Sequence, residues 1–563
     1  MKVDRRSALG LIGAGAAFSS TGATAAQAAA IRFDHGVASG DPTAKGAILW
    51  TRVTPVDAAH SAPIPVRWHV AQSADGKPIE SGEAQARPAR DFTVKVEPKR
   101  LKPGQDYVYW FEAADGTRSP NGRFRTLPEG KTADAVFAVV SCQLHAGGYF
   151  NAYRSIAQRD RVDAVIHLGD YIYEYGADGY GTEIGGKLGR IPEPAHETVT
   201  LADYRIRHAQ YKRDPDMQAG HARAAFICVW DDHETANDSW IGGAENHQPA
   251  TEGDWQARKA AAMQAYFEWM PIRDAQDGNP WEAINRSFDF GDLATLMMVE
   301  TRLLARSEGA AFKGETPGAD AIAAVLATRN RGDRELLGEP QRAWLEQGLT
   351  ASVAAGKPWQ ILGNQVVMAR VAGPDMAKLF GADKAKAMFA SLDPSLRPRV
   401  EAAQAGYRAG LPFNLDAWDG YPAARERLYA SFRQSGSRPL VLSGDSHAFW
   451  ANNLADDAGR PVAVEFGTTG ITSPSIGDAM PALPIGDLLA KANDEVLFCD
   501  QRAKGYILLT LTPQKAHAAY IAMSTIYARD YGERQIAAFD LAADVSAPKL
   551  QLASQEPSAA PGQ

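Results

Sequence analysis

Cysteine is scarce in this chain: Cys142, Cys228 and Cys499 are the only three in 563 residues. A small disulfide-stapled scaffold is therefore excluded, because such folds carry far denser cysteine. Long apolar runs are missing too. Beyond the N-terminus no stretch reaches the roughly 18–20 residues that a bilayer span requires, so no transmembrane anchor is expected. No internal repeat is present. Positive charge is in deficit, with 59 Lys and Arg against 67 Asp and Glu and a formal net charge of −8. That balance argues against a nucleic-acid partner. It leaves room for a small phosphorylated substrate, because a local cluster of cations outweighs the global field.

What is present points to an exported protein of at least two domains. The chain is too long for one core, since single cores stop growing near roughly 250–300 residues. Arg5-Arg6-Ser7 precedes the short Gly- and Ala-rich stretch Ala8 to Gly15, and small residues follow up to Ala26-Gln27-Ala28. This pattern reads as a twin-arginine signal peptide over 1–28, delivered to the twin-arginine export machinery and leading to a periplasmic or secreted protein. Its loss leaves a mature charge of about −10. The competing reading is the charged region of a general secretory signal. Export after folding suits a metal loaded in the cytoplasm.

Residues 31–128 read as all-β. Ala47 to Val53, Val66 to Val70 and Tyr107 to Phe111 are short strand-like segments separated by Gly, Pro, Asp and Ser. They suggest an immunoglobulin-like or fibronectin-like sandwich, and Leu101 to Tyr107 reads as a tyrosine corner. Thr126 to Gly130 is a plausible linker. From 129 to 545 strands alternate with helical stretches, including Gly148 to Arg159, Asp254 to Met270 and Gln341 to Val353, as expected of an α/β domain. Residues 303–336 and 372–413 read as lid-like insertions, and 546–563 as a disordered tail.

Four apolar strand patterns end in ligand-type residues. Val136 to Val140 leads into Ser141-Cys142-Gln143, and Ala164-Val165-Ile166 into Gly169-Asp170-Tyr171-Ile172-Tyr173. Phe226 to Trp230 leads into Asp231-Asp232-His233-Glu234, and Leu440-Val441-Leu442 into Gly444-Asp445-Ser446-His447. Open α/β sheets place ligands at the carboxyl ends of their strands, and clustered Asp, His and Cys point to metal or catalysis. A thiolate and a phenolate together suit Fe(III) better than zinc or magnesium.

On these runs, with Phe33 to Pro42, Gly243 to His247 and Trp418 to Pro422, the sequence resembles the alkaline phosphatase D (PhoD-like) family of calcineurin-like metallophosphoesterases. The resemblance implies a catalytic domain with a two-sheet core, one iron and companion calcium ions, and hydrolysis of phosphate esters by a metal-activated water or hydroxide. By that resemblance Cys142, Asp170, Tyr173 and His447 are iron ligands, with Asp170 the bridge. Cys142 stands where metallophosphoesterases usually carry an Asp-x-His pair. Asp232 takes the place of the Asn in the usual Asn-His pair, and Asp445 that of the first His in Gly-His-x-His, an oxygen ligand that suits calcium. His233 is then free to act on the phosphate oxygen or leaving group. Arg302, Arg425, Asn237 and Gln365 are candidate substrate binders.

The leading expectation is an exported alkaline phosphatase acting on phosphomonoesters. A phosphodiesterase or phospholipase D-like hydrolase on the same metal core is the alternative. A surface-binding protein with a decayed phosphoesterase domain is a further reading, disfavoured by the complete ligand set.

Overall fold

Ala135–Val140, Ala164–His167 and Ala225–Cys228 are short apolar runs, almost wholly buried. Continuous rather than alternating hydrophobicity is what parallel strands need, because both faces of their sheet are covered. These three strands pair in parallel and in chain order. The computed structural model in which they are seen describes residues 30–275, 278–312, 318–390, 397–543 and 547–556. The expected signal peptide lies outside these residues.

Among the described residues, ten strands form one sheet and seven a second. In the first, the parallel strands continue into Val37–Thr43, and then into antiparallel Gly46–Arg52 and Thr93–Val96. The opposite flank is an antiparallel run of Lys504–Leu511, Lys515–Met523, Glu533–Ala542 and Gln551–Gln555. In the second sheet Ala294–Met298, Trp359–Gly363, Leu440–Ser443 and Pro461–Gly467 run parallel. The two sheets pack face to face. Phe137 and Phe226 of the first share a core with Leu296, Ile361, Leu442 and Phe466 of the second, each such side chain contributing about 1.5–3 kcal/mol.

Helices cover the outer faces. Asp254 caps Trp255–Trp269 by accepting the Ala257 N–H, and Pro340 sits in the first turn of Glu339–Ala354, where its missing N–H costs nothing. Leu345 and Leu349 of that helix pack with Leu428 and Phe432 of Pro422–Ser435 over the second sheet. No described helix is long and apolar enough to cross a membrane.

Within the N-terminal region, Glu80–Ala86, Ile64–Ala71, Asp106–Ala113 and Gly122–Arg125 make a four-stranded sheet. Val66, Tyr109 and Phe111 from it pack on Val37, Leu49 and Val94. Those partners belong to the edge of the ten-stranded sheet, so the N-terminal region shares a sheet with the rest of the chain. The Tyr107 phenol oxygen accepts the Lys102 backbone N–H at 2.9 Å, as a tyrosine corner requires. Tyr107→Phe is expected to lower stability by about 1 kcal/mol in urea unfolding, with turnover unchanged.

One expectation is revised. The terminal position of 546–563 predicts a disordered tail, yet Gln551–Gln555 is an edge strand paired with Glu533–Ala542. Its order comes from backbone hydrogen bonding to an open sheet edge, which composition does not record. Residues 557–563 lie outside the described residues. The insertions 303–336 and 372–413 carry the helices Ala319–Arg329, Met376–Phe380, Ala382–Ala390 and Arg397–Arg408. All three cysteines are buried and free, so Cys228 and Cys499 form no bridge.

Candidate metal centre

The carboxyl ends of the parallel strands of both sheets meet at one place. Cys142, Asp170 and His447 bring ligand atoms within 4.8 Å of one another, as do Asp170, Asp232 and His233, and Asp231, Asp232 and Asp445. A fourth such group, Asp232, Asp238 and Asp416, continues the cluster. The Tyr173 hydroxyl donates to Asp170 Oδ2 at 2.9 Å and stands 3.2 Å from His447 Nε2.

The backbone is bent to make this convergence. Cys142, Asp170, Asp238, Asp445 and His447 all have φ between 51° and 60°, a left-handed conformation uncommon for non-glycine residues and concentrated at functional sites. Gly169, at φ 108°, lets two strand ends touch: a Cβ there would lie 2.5 Å from the Asp231 nitrogen. Glu234 clamps the same two loops, accepting N–H groups from Asp170 at 3.1 Å and Asp231 at 2.8 Å.

The donor chemistry fits cations. Asp170 Oδ1 is buried and accepts no hydrogen bond, although a buried carboxylate oxygen ordinarily finds a partner. Burial, reinforced by Asp170, pushes both the Cys142 thiol and the Tyr173 phenol well above their usual values. Each therefore keeps its proton until a metal displaces it. Burial and then Asp231 push Asp445 upward as well, a crowding of carboxylates that multivalent cations relieve. His447 Nδ1 donates to the Pro474 carbonyl at 2.6 Å, leaving Nε2 to face the cluster in the manner of an oriented metal ligand.

His233 is oriented as tightly. Its Nδ1 lies 2.7 Å from Glu174 Oε2, and its ring rests on Tyr173 with centroids 4.2 Å apart. Burial works against its charge, but Glu174, Asp232 and Asp170 outweigh burial and raise its pKa well above the usual imidazole value.

Comparison with known proteins matches this architecture. The family model described as PhoD-like phosphatase matches residues 137–520, and that of the PhoD-like phosphatase N-terminal domain matches 18–128. The chain belongs to the PhoD-like phosphatase family. It is 34% identical to alkaline phosphatase D of Bacillus subtilis (strain 168) over 505 residues, 87% of this chain and 77% of that protein. A solved structure described as that of PhoD superposes with a TM-score of 0.75 at 30% identity, covering 93% of this chain and 92% of that one. The protein is a phosphoric ester hydrolase of a metal-dependent family, with a mixed α/β architecture of several sheets.

The expected ligands Cys142, Asp170, Tyr173, Asp232, Asp445 and His447 converge, with His233 beside them. The expected substrate binders fare differently. Arg302 is at the centre, but its guanidinium is spent on carboxylates: Asp231 Oδ2 at 3.0 Å, Asp416 at 2.6 Å and Asp445 at 3.2 Å. Arg425 is buried away from the ligands, held by Asp419 at 2.7 Å and the Met368 carbonyl. Gln365 spends both ends of its amide on Thr301 and the Val299 carbonyl. Both are buried, and the Arg425 Nε has no hydrogen-bond partner. Asn237 lies at the rim, its backbone N–H on Glu174 and its amide on Glu245. Glu300 holds the Arg302 backbone N–H at 2.9 Å rather than the guanidinium.

Sequence reasoning passed over Glu174, Glu234, Asp231, Asp238 and Asp416 as site residues. Glu234 and Asp231 stand inside the quoted motif runs and Glu174 directly follows one, so these three were open to notice. Asp416 follows no strand and carries no local signal; Arg302, 114 residues away in the chain, brings it to the cluster.

Proposed function

We propose that this protein is an exported alkaline phosphatase that releases inorganic phosphate from phosphomonoesters. The observation that carries the reading is the convergence of a thiol, a phenol, two imidazoles and six carboxylates on one strand-end cluster with an unpartnered Asp170 oxygen. In this reading Cys142, Asp170, Tyr173 and His447 hold Fe(III), a choice supported by the anionic sulfur and phenolate donors. Asp170, Asp232 and Asp445 would hold Ca²⁺, which prefers oxygen ligands. When bound, such ions lower the pKa of a water and neutralise charge on the transferred group.

The chain's own residues do the rest. Glu174 keeps the His233 imidazole fixed and protonated, so that His233 donates to a phosphate oxygen or to the departing alcohol. Arg302 restrains Asp231, Asp416 and Asp445 and offsets their mutual repulsion. Residues 1–28 act as a twin-arginine signal, giving a periplasmic or secreted enzyme. Residues 31–128 form an immunoglobulin-like or fibronectin-like sandwich that shares a sheet with the catalytic domain at 129–545.

Elemental analysis of protein purified without chelator, paired with phosphatase assay before and after chelation, tests the reading. Iron and calcium with chelator-sensitive release of phosphate are expected. Tightly bound zinc alone would overturn the iron assignment, and a bis-aryl phosphate turned over faster than the mono-aryl ester would overturn the monoester preference.

A further inference from the structure

A pocket of about 410 Å³ opens directly beside the metal centre, with His447 in its wall. The volume lies in the range of small-molecule sites, which run to about 300–1,000 Å³. Its lining is mainly apolar and aromatic, including Tyr180, Val371, Tyr407, Phe413 and Ile476. Neither lysine nor arginine lines it. The carboxylate that does, Asp419, is already committed to Arg425 and to the Val371 N–H, each at 2.7 Å.

Several segments build the pocket. Tyr180 bonds to the Pro474 carbonyl, the same atom that orients His447, so one wall is tied to the metal ligand itself. The second wall is Tyr407, from the helix Arg397–Arg408, seated against Gly373 where a Cβ would lie 2.0 Å from its ring. Phe413 follows in the strand-like return, its N–H bonded to the Val371 carbonyl. Tyr180 and Ile476 are 42% and 37% exposed, an apolar rim that water does not favour and a ligand would cover.

We infer that this pocket is the subsite for the organic part of the phosphate ester, and that it selects a neutral, apolar, ring-bearing group over a polar or phosphorylated one. The inference rests on the phosphoesterase reading and adds the class of ester. His447 belongs both to the ligand cluster and to the wall of this pocket, so an ester whose phosphorus sits at the metal centre can extend its alcohol portion past His447 into it. Aromatic walls reward a flat apolar group by stacking and burial. A second phosphate would enter a chamber with no cation to pair with it, at a desolvation cost that nothing offsets.

The test compares kcat/KM for 1-naphthyl phosphate and glycerol 1-phosphate in the wild type, Tyr407→Ala, Phe413→Ala and the rim variant Ile476→Ser. Taking the ratio within each protein cancels the unequal reactivity of the two leaving groups. Loss of an apolar wall is expected to reduce the naphthyl-to-glycerol ratio by about 10-fold in Tyr407→Ala and Phe413→Ala, the scale of discrimination such pockets supply, and by less in Ile476→Ser. A second arm needs no turnover: calorimetric binding of phenylphosphonate against methylphosphonate to the metal-loaded protein. The phenyl compound should bind tighter to wild type, and its advantage should shrink in the same variants. An unchanged ratio together with equal binding of the two phosphonates overturns the subsite. Failure of the wild type to hydrolyse either ester would instead overturn the phosphoesterase reading, while the phosphonate arm still decides the pocket.

Discussion

Asp170→Asn is expected to strip cations from the centre and to lower turnover by about 10³-fold or more, since the bound ions supply several kcal/mol and each 1.4 kcal/mol is about tenfold. Asp170 belongs to two ligand groups, one with Cys142 and His447 and one with Asp232 and His233. An amide keeps the shape and loses the charge. Elemental analysis should record fewer ions per chain, and thermal unfolding should find the variant folded. Cys142→Ser and Tyr173→Phe sharpen the same prediction. If both are anionic ligands of Fe(III), the wild type carries a visible charge-transfer band, and each variant alters it separately because a hydroxyl is a far poorer donor than a thiolate. A colourless, iron-free and fully active wild type would remove iron from the account. It would leave a phosphoesterase working on other cations.

His233→Ala should retain the metals and lose about 10²–10⁴-fold in kcat, the usual worth of general acid–base help. Its ring is held by Glu174 rather than aimed by a backbone carbonyl, as His447 is. Loss of bound metal in this variant would make His233 a ligand, and near-normal turnover would leave it a packing residue. The partner variant Glu174→Gln adds a pH test. Burial lowers the His233 pKa and Glu174 is the largest influence raising it, so removing that charge lowers the pKa of the imidazolium. If the protonated form is the active one, the alkaline limb of the pH–rate profile moves to lower pH in Glu174→Gln. A limb that stays in place would exclude His233 as the acid.

These experiments probe residues of two kinds. The candidate ligands Cys142, Asp170, Tyr173, Asp232, Asp445 and His447, which the fold brings together, were legible in the chain because each lies within a few residues of a buried apolar strand, and a parallel strand carries its own hydrophobic signature. Chemistry at a strand end is a local fact. The tyrosine corner at Tyr107 and the helix begun at Asp254 were legible for the same reason: partner and signal are near neighbours in sequence.

Everything that joins distant segments was decided by the tertiary structure. Ser473 donates to the Tyr173 hydroxyl across 300 residues at 2.7 Å, and Arg302 reaches Asp445 across 143. No spacing rule covers such pairs. The same limit hides from the sequence that Arg425 and Gln365, whose residue types suit a phosphate, engage Asp419 and Thr301. It also explains the ordered strand at Gln551–Gln555, which owes its place to an open edge on Glu533–Ala542. The sequence by itself determined the family and most of the metal-ligating residue types that gather at the strand ends. Folding alone decided which charges neutralise one another, which side chains stay free for a substrate, and how the N-terminal strands merge with the catalytic sheet. Burial makes a charge costly unless a partner meets it, and the partner is chosen by proximity in space.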